Sequence, residues 1–433
     1  MKKTNKLPEL IAATALLFAG CSNDEMVKVY QGEAISFNTQ VLTRATSTTL
    51  DNLNAFKVYA DAKDYPVMFI DGVVATKDTE GEKGHYNLLK SDGSNFFWPT
   101  DVNTIRFWAY GPAGNTDAKA DFEIGSTTIN VSTQELKDIQ PKADLKEGGK
   151  AHKDLVLAYS EVQRSVATGM RVKLDFKHAL SQINIKAKNG SHDKLIYIKG
   201  AWLMGVYGKG TLTFKEEETA TAPNVHSGWM LWQPNTPTNY GITKDGTVTD
   251  NNNPLLLGQN TVLMGTDNSS NLMLVPQKRD AYKFSDDKNP TPTEGAYIML
   301  LCRVVAEHPG ASHGETTALE ATDKHYHQLF PVNEKGDFKD EEFGYTCVPI
   351  AVDWIPGRNY TYNLTFCGTN SGAGVYPPTL PDDFKPFEGD NSVTIIDKPS
   401  GKKPGEPVLD QPITFEVTID KWVDETDKDV DMK

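Results

Sequence analysis

Few residues of this 433-residue chain have the spacing that catalysis requires. Residues 310–314 read GASHG and match the G-x-S-x-G pattern of a serine nucleophile. That nucleophile functions at a strand-turn-helix junction of a parallel α/β sheet and needs a separate acid and base. The chain shows no alternation of strands and helices that would build such a sheet. We therefore interpret residues 310–314 as a loop and predict no catalytic residue and no enzymatic activity.

Histidine and carboxylate spacing gives two weak metal-binding patterns. His325 and His327 are two apart in a run that reads as a strand, so both imidazoles point to one face of it. A zinc site needs three or four ligands, and the sequence shows no clear third one. The acidic tail lacks the Gly and the closing Glu of a calcium loop, although it carries Asp424, Asp427, Asp429 and Asp431. We predict neither a bound metal nor a cofactor.

His178, Trp229 and Trp232 are residue types that can bind a ligand, but their sequence context favours a structural position. His178 stands between apolar residues in FKHALSQI, the setting of a histidine that is satisfied within a core. Trp229 and Trp232 offer indole faces on which a sugar ring could stack, yet large aromatic side chains mostly fill the core or domain interface of a β protein. We predict core or interface positions for all three.

The first 21 residues have the features of a signal for lipid attachment. They begin with three lysines within six residues, continue with an apolar run over 10–19, and end with Ala-Gly directly before Cys21. At about 1.5 Å per residue, this run is too short to cross a hydrocarbon core of about 30 Å. Residues 1–20 are therefore predicted to be a lipoprotein signal peptide, with lipid attached to Cys21 as an outer-membrane anchor. An ordinary secretory leader cut nearby is the alternative.

Composition limits the partners and the redox chemistry. The chain has 58 Asp and Glu against 44 Lys and Arg, a formal net charge of −14. Such a surface repels nucleic acid and anionic lipid headgroups, so neither is an expected partner. Besides Cys21 the chain contains Cys302, Cys347 and Cys367, with no CxxC spacing. One disulfide plus one free thiol fits this number, and the spacing does not decide the pairing.

The elements that must position these residues are nearly all strands. Short alternating or β-branched runs are separated by Gly, Pro, Asn and Asp, and helical periodicity is scarce. The pattern predicts an all-β protein of antiparallel β-sandwiches. We place a domain boundary near residue 166, between an N-terminal domain (45–165) and a C-terminal domain (166–433). A Pro/Gly-rich connector (368–411) would let the terminal strand (412–422) pack away from its sequence neighbours.

The two ends of the chain resemble each other. Residues 34–41, the leader strand, read AISFNTQV, and residues 412–419 read PITFEVTI, so apolar side chains recur on one face of both. After the leader strand, Arg44 in VLTRATST offers a trypsin-like protease an accessible site. Excision of the propeptide 21–44 would expose sheet edges, and the terminal strand of another copy would then replace the leader strand by β-augmentation. The alternative is two ordinary edge strands.

Segments spread over nearly the whole chain resemble the fimbrillins of the Bacteroidales, the subunits of type V pili. In order, they are ISFNTQVLTRA, NAFKVYA, FWP, IRFWAYGP, DLVLAYS, VKLDFKHALSQINIKAKN, GTLTF, LMLVPQ, WIPGRNYTYNLTF and ITFEVTIDKW. The resemblance implies two transthyretin-like antiparallel β-sandwich domains behind a lipoprotein leader, export to the surface and polymerisation by donor-strand exchange. It also implies cleavage between Arg44 and Ala45 by an arginine-specific surface protease, and donor side chains at Ile413, Phe415, Val417 and Ile419.

We therefore predict a structural subunit of a fimbrium that supports adhesion. Its expected partners are other pilin subunits, the processing protease and, for the lipidated precursor, the outer membrane. The alternative prediction is a monomeric surface lipoprotein that binds glycan or a host protein and keeps its leader strand. The two differ at the mature N-terminus, which is Ala45 in the first and acylated Cys21 in the second.

Overall fold

The chain is built from strands throughout the part that the structure describes. The computed structural model describes residues 29–41, 51–63, 65–81, 83–113, 122–124, 129, 133–164, 171–216, 219–244, 255–265, 271–284, 295–309, 324–332, 341–409 and 411–421. Within these ranges it contains 26 strands and no α-helix, so the all-β prediction is confirmed. None of these residues belongs to a helix with the length and hydropathy needed to cross a membrane.

One of the first eleven strands shows clearly the alternation that a half-buried sheet requires. In Arg171–His178 every second residue is buried and the residues between are exposed, because successive side chains of a strand point to opposite faces. The bounds are β1 Val29–Ala34, β2 Ser36–Val41, β3 Ala55–Ala62, β4 Tyr65–Lys77, β5 His85–Leu88, β6 Phe97–Pro99, β7 Thr104–Gly111, β8 Phe122–Ile124, β9 Glu135–Pro141, β10 Val156–Gln163 and β11 Arg171–His178.

Seven of these strands form a closed barrel. Their order is β10-β11-β2-β5-β4-β3-β7, and β7 pairs with β10 to close it. Most neighbours run antiparallel, but β2 runs parallel to β11. The barrel encloses one apolar cluster, and each of its seven strands pairs with a neighbour on both sides. Alternation predicts strands with one buried face, but it does not determine whether the strands form two facing sheets or one that closes on itself.

The remaining fifteen strands follow β11. They are β12 Ser181–Asn189, β13 Lys194–Phe214, β14 Val225–Ser227, β15 Met230–Thr243, β16 Leu255–Leu256, β17 Thr261–Met264, β18 Leu272–Leu274, β19 Gln277–Arg279, β20 Ala296–Pro309, β21 Lys324–Phe330, β22 Glu342–Ile350, β23 Val352–Trp354, β24 Arg358–Phe366, β25 Thr394–Ile395 and β26 Thr414–Lys421.

Two sheets of this part pack as a sandwich. The smaller has the order β17-β12-β24-β26, and the larger contains β14-β15-β13-β20-β22-β25. One apolar core joins them, with Ile183 and Tyr362 from the smaller sheet and Ile198 and Ile298 from the larger. Such burial of one face of each sheet is what stabilises a two-layer β fold.

The barrel and the sandwich are connected by the chain and by shared packing. The chain leaves the barrel at His178 and enters the smaller sheet at Ser181. β9, which precedes β10 in sequence, pairs with β8 and with β13 of the larger sheet. A separate apolar cluster contains both Trp108 of β7 and Trp232 of β15. The division of the chain into two domains at residue 166 stays a prediction.

The connector 368–411 packs against the larger sheet over its described residues. Phe384 and Phe387 stand edge-on to Trp202 of β13, with ring centroids 5.4 Å and 6.0 Å apart. β25, within the connector, pairs with β22. The Val408 amide donates to the Gly374 carbonyl at 3.0 Å. The connector is thus held against the larger sheet at these points. The start of the terminal strand is bonded back to it, because the Pro412 carbonyl accepts from the Gly372 amide at 3.0 Å.

A histidine between β9 and β10 has a fixed neutral tautomer. His152 packs edge-on against Tyr240, with ring centroids 5.6 Å apart. Its Nε2 donates to the Lys142 carbonyl at 2.7 Å, and its Nδ1 accepts from the Met273 amide at 3.0 Å. An accepting Nδ1 must be unprotonated. Desolvation also lowers the pKa of His152 below its ordinary value, so the folded chain resists protonation there.

We expect the His152 contribution to the free energy of unfolding to be lost as the pH falls below about 6.5, the ordinary pKa of histidine. The unfolded chain binds a proton at His152 more readily than the folded chain. The His152 contribution is therefore fully present above the ordinary pKa and decreases until the pH falls below the lower pKa of the folded chain. Urea unfolding between about pH 7.5 and about pH 5.5 measures the slope. His152→Gln removes the titrating ring, and an unchanged pH slope in this variant would contradict the assignment.

Candidate functional site

The leader strand fills a position between two strands of the barrel. Its regular part, β2, runs parallel to β11, with Ser36 opposite Arg171. On its other side β2 runs antiparallel to β5, with Phe37 opposite Tyr86. Without β2 the barrel path would be open between β11 and β5. Each of these two strands would then present an unpaired edge, which is a template for another strand.

The inward side chains of the leader strand belong to the barrel core. Ile35 is 1% exposed, Phe37 0% and Thr39 5%. The Phe37 ring stands edge-on to the rings of Phe56 and Phe107, with centroids 5.8 Å and 5.9 Å away. Edge-to-face pairs of this kind add about 0.5–1.5 kcal/mol each beyond the burial of area. Phe37 is therefore the main anchor of the leader strand in the barrel.

The walls of this site come from strands that are far apart in sequence. We name the space that the leader strand occupies the leader groove. Its aromatic walls include Phe56 of β3, Tyr86 of β5, Phe107 of β7 and Phe176 of β11. Alternation marks each of these residues as buried, but only the strand order shows that they surround Phe37. Sequence reasoning thus finds the inserted strand and misses its pocket.

Polar groups in the leader groove are hydrogen bonded. The Thr39 amide donates to the Gly84 carbonyl at 2.8 Å, and Thr39 Oγ1 donates to the same oxygen at 3.3 Å. Burial raises the pKa of Tyr86, whose phenol stays protonated and donates to the Leu53 carbonyl at 2.5 Å. An emptied groove would combine apolar walls with unpaired backbone groups. Another extended strand would cover the apolar walls with its side chains and would pair the backbone groups with its own hydrogen-bonding edge.

The predicted donor residues lie on the sandwich of their own chain. β26 is the edge strand of the smaller sheet and pairs antiparallel with β24 over eight residue pairs. Burial falls from Ile413, directly before β26, along the strand, since Ile413 is 5% exposed, Val417 38% and Ile419 58%. Phe415 is half-buried beside Tyr362, with ring centroids 6.2 Å apart. The apolar stripe of the terminal strand is therefore only partly covered here.

A cavity beside the start of β26 shows the same incomplete packing. It has a volume of about 360 Å³, and its lining includes Phe415, Leu364, Lys186 and Lys188. Most of its lining side chains are polar, so water has access to the half-buried Phe415 ring there. The leader strand, by contrast, is one of the seven strands of a closed barrel, and its side chains Ile35, Phe37 and Thr39 are almost fully buried. Two strands with one apolar pattern thus occupy one complete site and one incomplete site.

Other predicted site residues lie elsewhere. Cys21, Arg44, Ala45 and the loop 310–314 fall outside the described residues, so lipidation and cleavage stay predictions. His178 is 5% exposed, and its Nδ1 lies 2.6 Å from Asp154 Oδ2. That position confirms the prediction of a core histidine.

The tryptophans and cysteines also have structural positions. Trp232 is fully buried, and Trp229 stacks on Phe214 with an interplanar angle of 15°. The prediction of core packing is thus confirmed for Trp232, and Trp229 packs against the same cluster. Cys302 and Cys347 are buried free thiols, and burial raises the pKa of both. A raised thiol pKa makes both groups poor nucleophiles.

Comparison with known proteins identifies the family. A sequence model described as fimbrillin-like matches residues 43–375. The search of curated proteins gives no match. Three solved structures, each of a proposed cell adhesion protein, are similar. The one from Parabacteroides distasonis ATCC 8503 is 8% identical, covers 90% of this chain and 98% of its own, and has a TM-score of 0.41. Those from Bacteroides ovatus ATCC 8483 and Bacteroides eggerthii DSM 20697 are each 12% identical, cover 82% and 92% of this chain and 100% of their own, and have TM-scores of 0.37 and 0.36. These TM-scores are low, and the sequence match alone decides the assignment. Because it spans most of the chain, the protein belongs to the fimbrillin-like family.

Proposed function

We propose that this protein is the precursor of a type V pilus subunit that supports adhesion. It is exported as a lipoprotein on Cys21, cut between Arg44 and Ala45 at the cell surface, and assembled by donor-strand exchange. The observation that carries this proposal is the leader strand: it completes a closed barrel around Phe37. The sequence that joins it to the first body strand contains Arg44. One cut there would release a strand that the barrel needs.

The terminal strand is the proposed replacement. Its side chains at Ile413, Phe415, Val417 and Ile419 have the spacing of Ile35, Phe37, Thr39 and Val41 in the leader strand. In a polymer they would enter the leader groove of the next copy. The exposed parts of this stripe would then become buried, and burial of a large aliphatic side chain is worth about 1.5–3 kcal/mol. Partial packing on β24 lowers the cost of release.

Arg44→Ala is expected to block maturation, because an arginine-specific protease needs the guanidinium side chain to recognise the bond after it. The precursor should accumulate with its lipid attached and form no polymer. Arg44→Lys is the matched variant, since it keeps a positive charge and removes the guanidinium. N-terminal sequencing of protein released from the cell surface should give Ala45 for the wild-type chain and no such terminus for either variant.

The opposite results are equally clear. Fibres made of uncut Arg44→Ala protein would show that the leader strand need not leave. A wild-type protein that remains acylated at Cys21 would support the alternative, a monomeric surface lipoprotein that binds glycan or host protein. Normal processing of Arg44→Lys would retain the cut and assign it to a protease that accepts lysine.

A further inference from the structure

Three histidines from two neighbouring strands meet at one end of the larger sheet. His308 of β20 lies directly opposite His325 of β21, and His327 follows two residues later on β21. All three side chains share one face, because opposite residues and alternate residues of a strand pair point the same way. The ring centroids are 4.8 Å apart for His325 and His327, 5.1 Å for His308 and His327, and 5.6 Å for His308 and His325.

These spacings match three imidazoles around one metal ion. A Zn–N distance of about 2.0–2.1 Å and tetrahedral angles place neighbouring ring centroids about 5 Å apart. As they stand, no three or more His, Cys, Asp or Glu side chains among the described residues are placed to hold a metal ion. Metal binding would therefore require the rings to rotate about their side-chain torsions; His308 is exposed, and His325 and His327 are half-buried.

The surroundings favour a ligand role. Residue 306, opposite His327 on the shared face, is an alanine, so β20 places no bulky or charged side chain there beside the imidazoles. Neighbouring Glu307 and Lys324 point to the other face, where Lys324 Nζ lies 2.5 Å from Glu307 Oε1. That ion pair keeps the lysine charge away from the imidazoles. The strand pairing fixes the backbone of all three histidines, and rigid elements hold a ligand set more accurately than loops do.

We propose that His308, His325 and His327 bind a divalent transition metal ion of the Zn²⁺ type, with water at the fourth position. Imidazole nitrogens suit Zn²⁺, Cu²⁺ and Ni²⁺, whereas Ca²⁺ and Mg²⁺ require oxygen ligands. The sequence shows only the pair on β21 and predicts no metal. The third ligand comes from β20, which only the strand register brings alongside. The three ligands lie on β20 and β21, outside the leader strand and the terminal strand.

Zn²⁺ binding to the full chain tests the proposal. The protein is purified in detergent without a polyhistidine tag, stripped with a chelator and titrated with Zn²⁺ at neutral pH. We expect each chain to bind one Zn²⁺ ion, and we expect this binding to require the three histidines. Loss of an outer partner of a metal ligand already weakens affinity by about 10–100-fold, so loss of a ligand itself in His308→Gln or His327→Gln should cost about 100-fold or more. Co²⁺ titration should give tetrahedral visible bands without sulfur charge transfer.

A matched control separates this site from other histidines. His226→Gln alters a histidine of β14 whose Nε2 lies 3.0 Å from the Lys215 carbonyl, and Zn²⁺ affinity should not change. His308 is exposed at the end of its strand, so His308→Gln should keep the melting temperature of the metal-free protein. If it does not fold, His327→Gln tests the same site. Wild-type affinity in the two cluster variants, a thiolate spectrum with Co²⁺, or no Zn²⁺ bound to the wild-type chain would each overturn the proposal.

Discussion

Phe37→Ala is expected to lower the free energy of unfolding of the uncut precursor by about 3–5 kcal/mol, the usual cost of truncating a buried phenylalanine. The Phe37 side chain is 0% exposed and contacts Phe56 and Phe107 inside the closed barrel. The barrel cannot collapse easily around the lost ring, because strands on both sides fix its width. Urea unfolding of the full chain, produced in a host without the processing protease, measures the effect.

Asn38→Ala is the matched control for this experiment. Asn38 is the next residue of the leader strand and is exposed, so its truncation should change stability by no more than about 0.5 kcal/mol. After cleavage residue 37 is gone, and fibres made from the Phe37→Ala precursor should be as stable to heat and detergent as wild-type fibres. A Phe37→Ala precursor with wild-type stability would mean that the leader strand is not part of the barrel core in solution.

The sequence predicts strands well because alternation records which side chains are buried. Val172, Leu174 and Phe176 of β11 are all buried between exposed neighbours, and the spacing of Ile35 and Phe37 identifies the leader strand in the same way. Strand pairing is different. Hydrogen bonds between strands use backbone groups that every residue has, so the parallel pairing of β2 with β11 and the closure of the barrel are not visible in the residue pattern.

The same limit explains what was missed at the two candidate sites. The walls of the leader groove come from four strands, and the alternation of each strand contains no information about the others. The third histidine of the cluster, His308, is separated from His325 by residues that give no metal-binding spacing. Register between β20 and β21 sets them opposite each other. Both sites therefore depend on strand pairing between residues that are far apart in the sequence, which the local residue pattern does not record.

Donor-strand exchange requires the terminal strand to exchange one set of contacts for another. On its own chain it has eight residue pairs with β24 and one deeply buried side chain, Ile413. In a neighbouring barrel it would gain pairing on both sides, with β11 and with β5, as the leader strand has now. Its two most exposed apolar residues, Val417 and Ile419, are 38% and 58% exposed on their own sheet and would gain most of their burial there. Those residues therefore distinguish packing in the precursor from packing in the polymer.

Ile419→Asp is expected to leave the precursor intact and to abolish the polymer. Ile419 is 58% exposed on its own sheet, so a carboxylate there stays hydrated and should change stability by no more than about 0.5 kcal/mol. In the leader groove the same position corresponds to Val41, which lies opposite the buried Phe176. An unpaired carboxylate in such an apolar site costs several kcal/mol, so the strand should not remain inserted.

Thr418→Asp is the matched variant, because it adds the same charge one residue away on the other face of the strand. Thr418 is exposed, and its Oγ1 accepts from Asn363 Nδ2 at 3.1 Å, a bond that a carboxylate can also accept. Its polymer should resist detergent and heat on gels as the wild-type polymer does, whereas cleaved Ile419→Asp subunits should run as monomers. A charge that blocks assembly from one face of the strand alone must meet an apolar groove on that face. Equal amounts of polymer from both variants would therefore show that the face bearing Ile419 never enters a barrel.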